Sequence, residues 1–263
     1  MKNTLRTEWK IQKASRMNYI FLIAFVIFLI LCLNGIKREN DFLVETVSAQ
    51  GQYVVNNISP VLNAVILFAM LFLDSLFLFW GCCITKHDEQ ENCYWQRAMI
   101  STPRNILKAQ YKMFLVVAIT FIFVALVVGS VAGYVFENEL EDHFILVSGS
   151  SGLFLLVQKV LCVGIMAYVS YSFGRMIGYI FNSKVLAVIA CLVVDQLLIV
   201  NSWLTTAFIN RLFDDAQYYV MTSGKVALDS INEGVIWIGV IGVAVIIRLA
   251  VVYFANRRYC NAK

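Results

Sequence analysis

The chain has 263 residues, 60% of them hydrophobic and only 14% charged, with a formal net charge of +4. So little charge leaves little surface meant for water, and no segment between the apolar runs exceeds about 30 residues, too short for an independent soluble core. The cations are dispersed between hydrophobic runs, which argues against nucleic acid as a partner.

Residues 1–16 place Lys2, Arg6, Lys10 and Lys13 on one helical face with Leu5 and Trp9 beside it. This spacing predicts a helix lying along the inner membrane surface, with Trp9 at headgroup level and the cations in water. Six apolar stretches follow, at about 17–36, 61–84, 111–136, 152–172, 185–203 and 234–255. Each is long enough to cross ~30 Å of hydrocarbon at about 1.5 Å per residue. With the N-terminus in the cytoplasm, 15 of the 21 lysines and arginines fall on the inner side, counting Lys112 at the inner edge of the third stretch, and four outside, while four acids lie inside and eleven outside. Lys159, Arg248, Asp74 and Asp195 remain within the stretches. The positive-inside rule therefore predicts both chain ends in the cytoplasm. The first apolar run has no small-residue cleavage site behind it, so it is expected to remain as a membrane crossing rather than a cleaved signal.

The expected fold is an all-α membrane protein of six transmembrane helices forming one domain over 1–263. Its parts are an interfacial helix at 1–16, crossings one and two in 17–84, and a cytoplasmic loop at 85–110. Crossings three to five occupy 111–203, an external segment lies at 204–233, and crossing six with the tail fills 234–263.

The external loop 37–60 is polar and slightly acidic, and its Asn57-Ile58-Ser59 sequon is too short a match to carry weight. The external turn 137–151 holds Glu137, Glu139, Glu141 and Asp142 without a cation and reads as solvated. The cytoplasmic segment opens on a charged patch, Lys86, His87, Asp88, Glu89 and Glu91. It continues through Tyr94, Trp95, Arg97 and Met99, then breaks at Ser101-Thr102-Pro103. A hydroxyl residue followed by proline is a helix start, since the oxygen caps orphan N–H groups and proline tolerates the first helical position. A short amphipathic helix is thus predicted over about 89–100, followed by a new helix from near Pro103. Its aromatic side chains need a partner protein or the membrane interface to bury them.

The cytoplasmic loop 173–184 contains Gly174, Arg175, Gly178 and Lys184. Gly174 and Gly178, like Gly129 and Gly133, form a G-x-x-x-G pair that suits either close helix approach or a tight turn. The stretch 204–233 is too apolar for a free loop and too polar for a seventh crossing, so a re-entrant or interfacial helical hairpin at the outer leaflet is expected.

Catalytic equipment is missing. His87 and His143 lie on opposite sides, and neither H-E-x-x-H, G-x-S-x-G nor a P-loop occurs, so no catalytic or metal site and no cofactor is expected in this chain. The seven cysteines include no C-x-x-C and read as small hydrophobes. Asp74, Lys159 and Asp195 are costly at membrane depth and stand as intramembrane polar candidates. They form either a structural ion pair, Asp195 with Lys159, or part of a substrate path. Arg248, near the inner end of its stretch, can snorkel to headgroups.

The order of parts, with the local text Glu91 to Phe114, ENCYWQRAMISTPRNILKAQYKMF, resembles the ABC-2-type permeases, the membrane subunits of bacterial ABC exporters. The resemblance implies a dimer with a second permease, identical or paralogous, and two cytosolic ATPase subunits that bind ATP and Mg. It implies that a coupling helix bearing Glu91, Tyr94, Trp95, Arg97 and Met99 docks on the ATPase. Phe208, Phe213, Tyr218 and Tyr219 would then line an external gate, and a hydrophobic or amphipathic substrate, such as a peptide, would leave the cell. Two other classes fit parts of the pattern: a non-transporting scaffold that docks a cytoplasmic partner, and a secondary transporter coupled through Asp74 and Asp195.

Overall fold

The computed structural model describes residues 6, 9–10, 19–35, 53–56, 60–90, 102–137, 144–147, 151–200 and 233–261. Within these, the chain is helical: α1 (19–35), α2 (Pro60–Gln90), α3 (Pro103–Glu137), α4 (Ser151–Ile180), α5 (Lys184–Val200) and α6 (Glu233–Asn261). The β pairing among the described residues is one short parallel ladder, β1 (Tyr53–Asn56) with β2 (Phe144–Val147), in the register Tyr53 to Phe144. The sequence reading left both as external loops. Their runs Tyr-Val-Val-Asn and Phe-Ile-Leu-Val are rich in β-branched and aromatic residues, which suit a strand. β1 enters α2 and β2 leaves α3, so the antiparallel α2–α3 hairpin brings the two strands to the same end of the bundle.

The helix start expected at Pro103 is present, and a second start at Lys184 shows a similar backbone bond. The Thr102 carbonyl accepts the Asn105 and Ile106 amides at 2.9 and 3.1 Å, which makes Thr102 the cap and Pro103 the first helical residue of α3. The Ser183 carbonyl likewise accepts the Ala187 amide at 3.0 Å at the start of α5.

α2 and α4 form the most extensive helix pair, with α3, α5 and α6 packed around them. Along α3 the buried residues recur every three or four positions, through Ile106, Gln110, Phe114, Ala118, Phe121 and Ala125, giving one inward stripe. α2 is buried around most of its circumference from Leu73 to Ile84, as befits a central helix. α1 joins through Phe25, whose ring meets Phe121 edge-on at 4.7 Å, and Phe28, stacked on Phe72 at 4.1 Å.

Glycines set the α2–α4 distance. A Cβ on Gly174 would run into the Leu78 carbonyl, and one on Gly81 into the Tyr171 carbonyl. At Gly178 it would meet the Thr85 Cβ at 2.8 Å. The G-x-x-x-G at Gly174 and Gly178 is therefore a helix-packing face rather than a turn, and Gly81 supplies the reciprocal notch on α2. Gly129 and Gly133 lie on the buried side of α3.

Two boundaries differ from the sequence reading. α2 does not stop at 84: it continues to Gln90, so the patch Lys86, His87 and Asp88 is helical, with Lys86 and Asp88 both buried. α4 runs to Ile180, which places Gly174, Arg175 and Gly178 inside the helix and shrinks the predicted loop 173–184 to Phe181–Ser183. In both places charge suggested a membrane edge, whereas helical periodicity simply carries on through it. Of 1–16, Arg6, Trp9 and Lys10 are described, all exposed and helical. The hairpin predicted at 204–233 lies outside the described residues, as does the amphipathic helix predicted over about 89–100 apart from Glu89 and Gln90, which belong to α2.

The outward faces are as apolar as the interior. Leu31, Phe123, Val185, Ile246 and Leu249 are each at least 60% exposed. In water each such side chain forgoes ~1.5–3 kcal/mol of burial, so this surface is suited to a non-aqueous surround. Among the described residues, one helix is long and apolar enough to cross a membrane: α3 over Pro103–Val135, with a mean hydropathy of 2.9 in its most apolar window and 28% of that window buried. α1 is apolar but shorter.

The glycine seam makes a graded prediction. Gly174→Ala and Gly81→Ala should lower the thermal unfolding midpoint in detergent strongly, by the equivalent of about 2 kcal/mol or more. Gly178→Ala, where the obstacle is a side chain, should cost less. Gly164→Ala, on the same helix but with nothing within 4 Å, should be neutral or mildly stabilising.

Candidate functional site

Two polar groups interrupt the apolar bundle. The first is the midsection pair of carboxylates. Asp74 on α2 accepts a hydrogen bond from the Ser170 hydroxyl of α4 at 3.4 Å, long for such a bond. Asp195 on α5 lies within coulombic reach of Asp74 and is only 7% exposed. One oxygen of Asp195, Oδ1, is buried with no hydrogen-bond partner. α5 returns antiparallel from the Phe181–Ser183 turn, which brings Asp195 level with Ser170. Lys159 stands three turns before Ser170 on α4, about 16 Å along the axis, and its side chain lies outside the described ones. Among the described residues, the charged group near Asp195 is another acid, Asp74.

The second group lies at the end of the bundle where α2 ends and α3 begins, and sequence reasoning missed most of it. Arg175 is completely buried. Its guanidinium donates to the Tyr179 hydroxyl at 2.7 Å and sits 5.6–5.9 Å from the ring centres of Tyr111, Tyr171 and Tyr179. An arginine is weakly hydrated and spreads its charge over a plane, so an aromatic box accepts it where a lysine would fit poorly. Tyr171 stacks on Phe114 of α3 at 4.4 Å, and the Tyr111 and Ser172 hydroxyls are hydrogen-bonded at 2.9 Å. These contacts lock α3 to α4.

Around that box, the helix ends are tied by polar bonds. Gln110 of α3 donates to the Asp88 carboxylate of α2 at 3.2 Å. Lys86 of α2 donates to the Asn182 carbonyl in the α4–α5 turn at 3.3 Å. Arg258 of α6 donates to the Asn182 side-chain oxygen at 2.7 Å and to the Tyr179 carbonyl at 3.4 Å. Four helices and one turn therefore meet in a single bonded cluster. It flanks the segment 91–101 on both sides, since α2 leads into that segment and α3 leads out of it.

A sequence signal for the cluster did exist. Tyr171, Arg175 and Tyr179 recur every four residues and so share a helix face, next to Gly174 and Gly178. The change in polarity near 173 concealed it. The docking candidates Glu91, Tyr94, Trp95, Arg97 and Met99, and the gate candidates Phe208, Phe213, Tyr218 and Tyr219, lie outside the described residues. Among the described residues, no group of three or more His, Cys, Asp or Glu is placed to hold a metal. Cys82 of α2 and Cys191 of α5 are fully buried and belong to one small hydrophobic cluster.

The level of Asp195 yields a test. Asp195→Asn removes an acid from a site where, among the described residues, the charged neighbour is Asp74, so thermal stability in detergent should hold or rise. A marked fall that Lys159→Met then reverses would instead mean that Asp195 is paired with Lys159.

Compared with known proteins, the chain matches no family model, no curated protein and no solved structure.

Proposed function

We propose that this chain is the permease subunit of an ATP-driven exporter in the bacterial cell membrane. In this reading six helices cross the bilayer, both ends are cytoplasmic, and the bonded cluster lies at the cytoplasmic edge. The apolar outward faces of α1, α3, α5 and α6 support the multi-pass arrangement, as does the charge asymmetry across the apolar stretches. A second permease, identical or paralogous, completes the pathway, and cytosolic ATPase subunits supply nucleotide binding. The cargo is hydrophobic or amphipathic, a peptide being the class that best suits the aromatic-rich chain.

One observation carries the proposal: the segment predicted to dock the ATPase is bracketed by two helices bonded to each other and to the bundle. A push on 91–101 meets α2 and α3 where Asp88 and Gln110 join them, with Arg175 buried just behind. Force applied there moves helices as a unit instead of bending a loose loop, which is the mechanical requirement for coupling ATP closure to the membrane helices. Tyr94 and Trp95 are the expected anchors on the ATPase, as buried aromatics are at interfaces generally.

Two variants test this. Tyr94→Ala with Trp95→Ala should reduce ATPase co-purification by about tenfold, roughly 1.4 kcal/mol, while membrane extraction stays unchanged. Gln110→Leu should leave the ATPase bound but uncouple substrate-stimulated ATP turnover. If no P-loop protein co-purifies with the unaltered chain, the proposal fails.

A further inference from the structure

We infer that a groove between Arg6 and Trp9, α3 and α6 binds the headgroup of an anionic phospholipid of the inner leaflet. The groove has a volume of about 750 Å³. Four cations line it, Arg6, Lys108, Lys112 and Arg248, and among the described residues no carboxylate does. Lys108 and Lys112 are exposed one turn apart on α3, so their ammonium groups serve one face.

Arg248 is the built part of the site. Its guanidinium carbon lies 3.6 Å from the centre of the Tyr111 ring, which holds the plane in place from one side. Its terminal nitrogen Nη1 is buried and lacks a hydrogen-bond partner. A buried guanidinium donor without an acceptor is costly, and an anionic oxygen in the groove would satisfy it.

The polarity profile selects a lipid over a free anion. One turn beyond Lys112 the wall becomes Leu115 and Val116, 55% and 47% exposed, while Trp9 and Tyr168 stand beside the cations. Cations, then amphipathic rings, then aliphatic side chains is the order in which a phospholipid presents phosphate, glycerol ester and acyl chain. Inorganic phosphate would use only the first of these layers.

The inference rests on the membrane reading of α3 but not on ATPase docking. The full chain, reconstituted in discs of phosphatidylcholine containing a minor fraction of phosphatidylglycerol, is extracted and its retained lipids are counted by native mass spectrometry. Phosphatidylglycerol should be retained over phosphatidylcholine by roughly tenfold or more relative to its abundance. Lys108→Gln with Lys112→Gln, both exposed and so safe for folding, should cut this preference severalfold; adding Arg248→Gln should abolish it, and Arg248→Lys should restore only part. Excess inorganic phosphate should not displace the lipid. Equal retention of the two lipids, or a preference unchanged in the lysine variant, overturns the inference, and full displacement by phosphate reduces the groove to an anion site and also overturns it. A chain that inserts into the discs and resists carbonate extraction yet shows no preference refutes the groove alone, whereas a chain that fails to insert refutes the membrane reading as well.

Discussion

The close approach of α2 and α4 is the constraint on which the rest of the structure depends. Three glycines permit it: Gly174 and Gly178 offer a flat face on α4, and Gly81 opens a notch on α2 against the Tyr171 carbonyl. In a bilayer the hydrophobic effect does not drive helices together, because lipid tails are as apolar as leucine; backbone proximity and packing must do so instead. That proximity sets the positions of everything mounted on the two helices. Ser170 reaches Asp74 across this contact, and Lys86 reaches the turn after α4.

The same seam makes the burial of Arg175 tolerable. An arginine with no solvent exposure would be strongly destabilising in isolation. Here the guanidinium has a short bond to Tyr179 and three aromatic rings around it, and those rings in turn pack against α3 through Phe114. Moving α4 away from α3 would break up this box, so the arrangement favours rigid-body motion over gradual deformation. The polar bonds of Asp88, Gln110, Asn182 and Arg258 extend that stiffness to α2, α6 and the α4–α5 turn.

Away from this end the bundle is held mostly by aromatic and aliphatic contact, and its outer faces remain apolar. The two carboxylates at mid-height are exceptional there. Asp195 keeps its Oδ1 without a hydrogen-bond partner, near the carboxylate of Asp74.

The apolar helices and the helix start at Thr102-Pro103 were legible in the chain itself, because they depend on local periodicity and capping chemistry. The sequence also exposed the G-x-x-x-G pair, although spacing could not distinguish a packing face from a turn. Only the tertiary structure decided that α2 runs to Gln90 and α4 to Ile180, because a buried charge looks like a boundary until its partners are seen. Arg175 illustrates the reason. In the sequence it reads as a loop cation, but Tyr111, 64 positions earlier, supplies part of the environment that buries it. Lys86 with Asn182, and Arg248 with Tyr111, depend on separations of the same kind, and only helix packing brings such distant residues within a few ångströms.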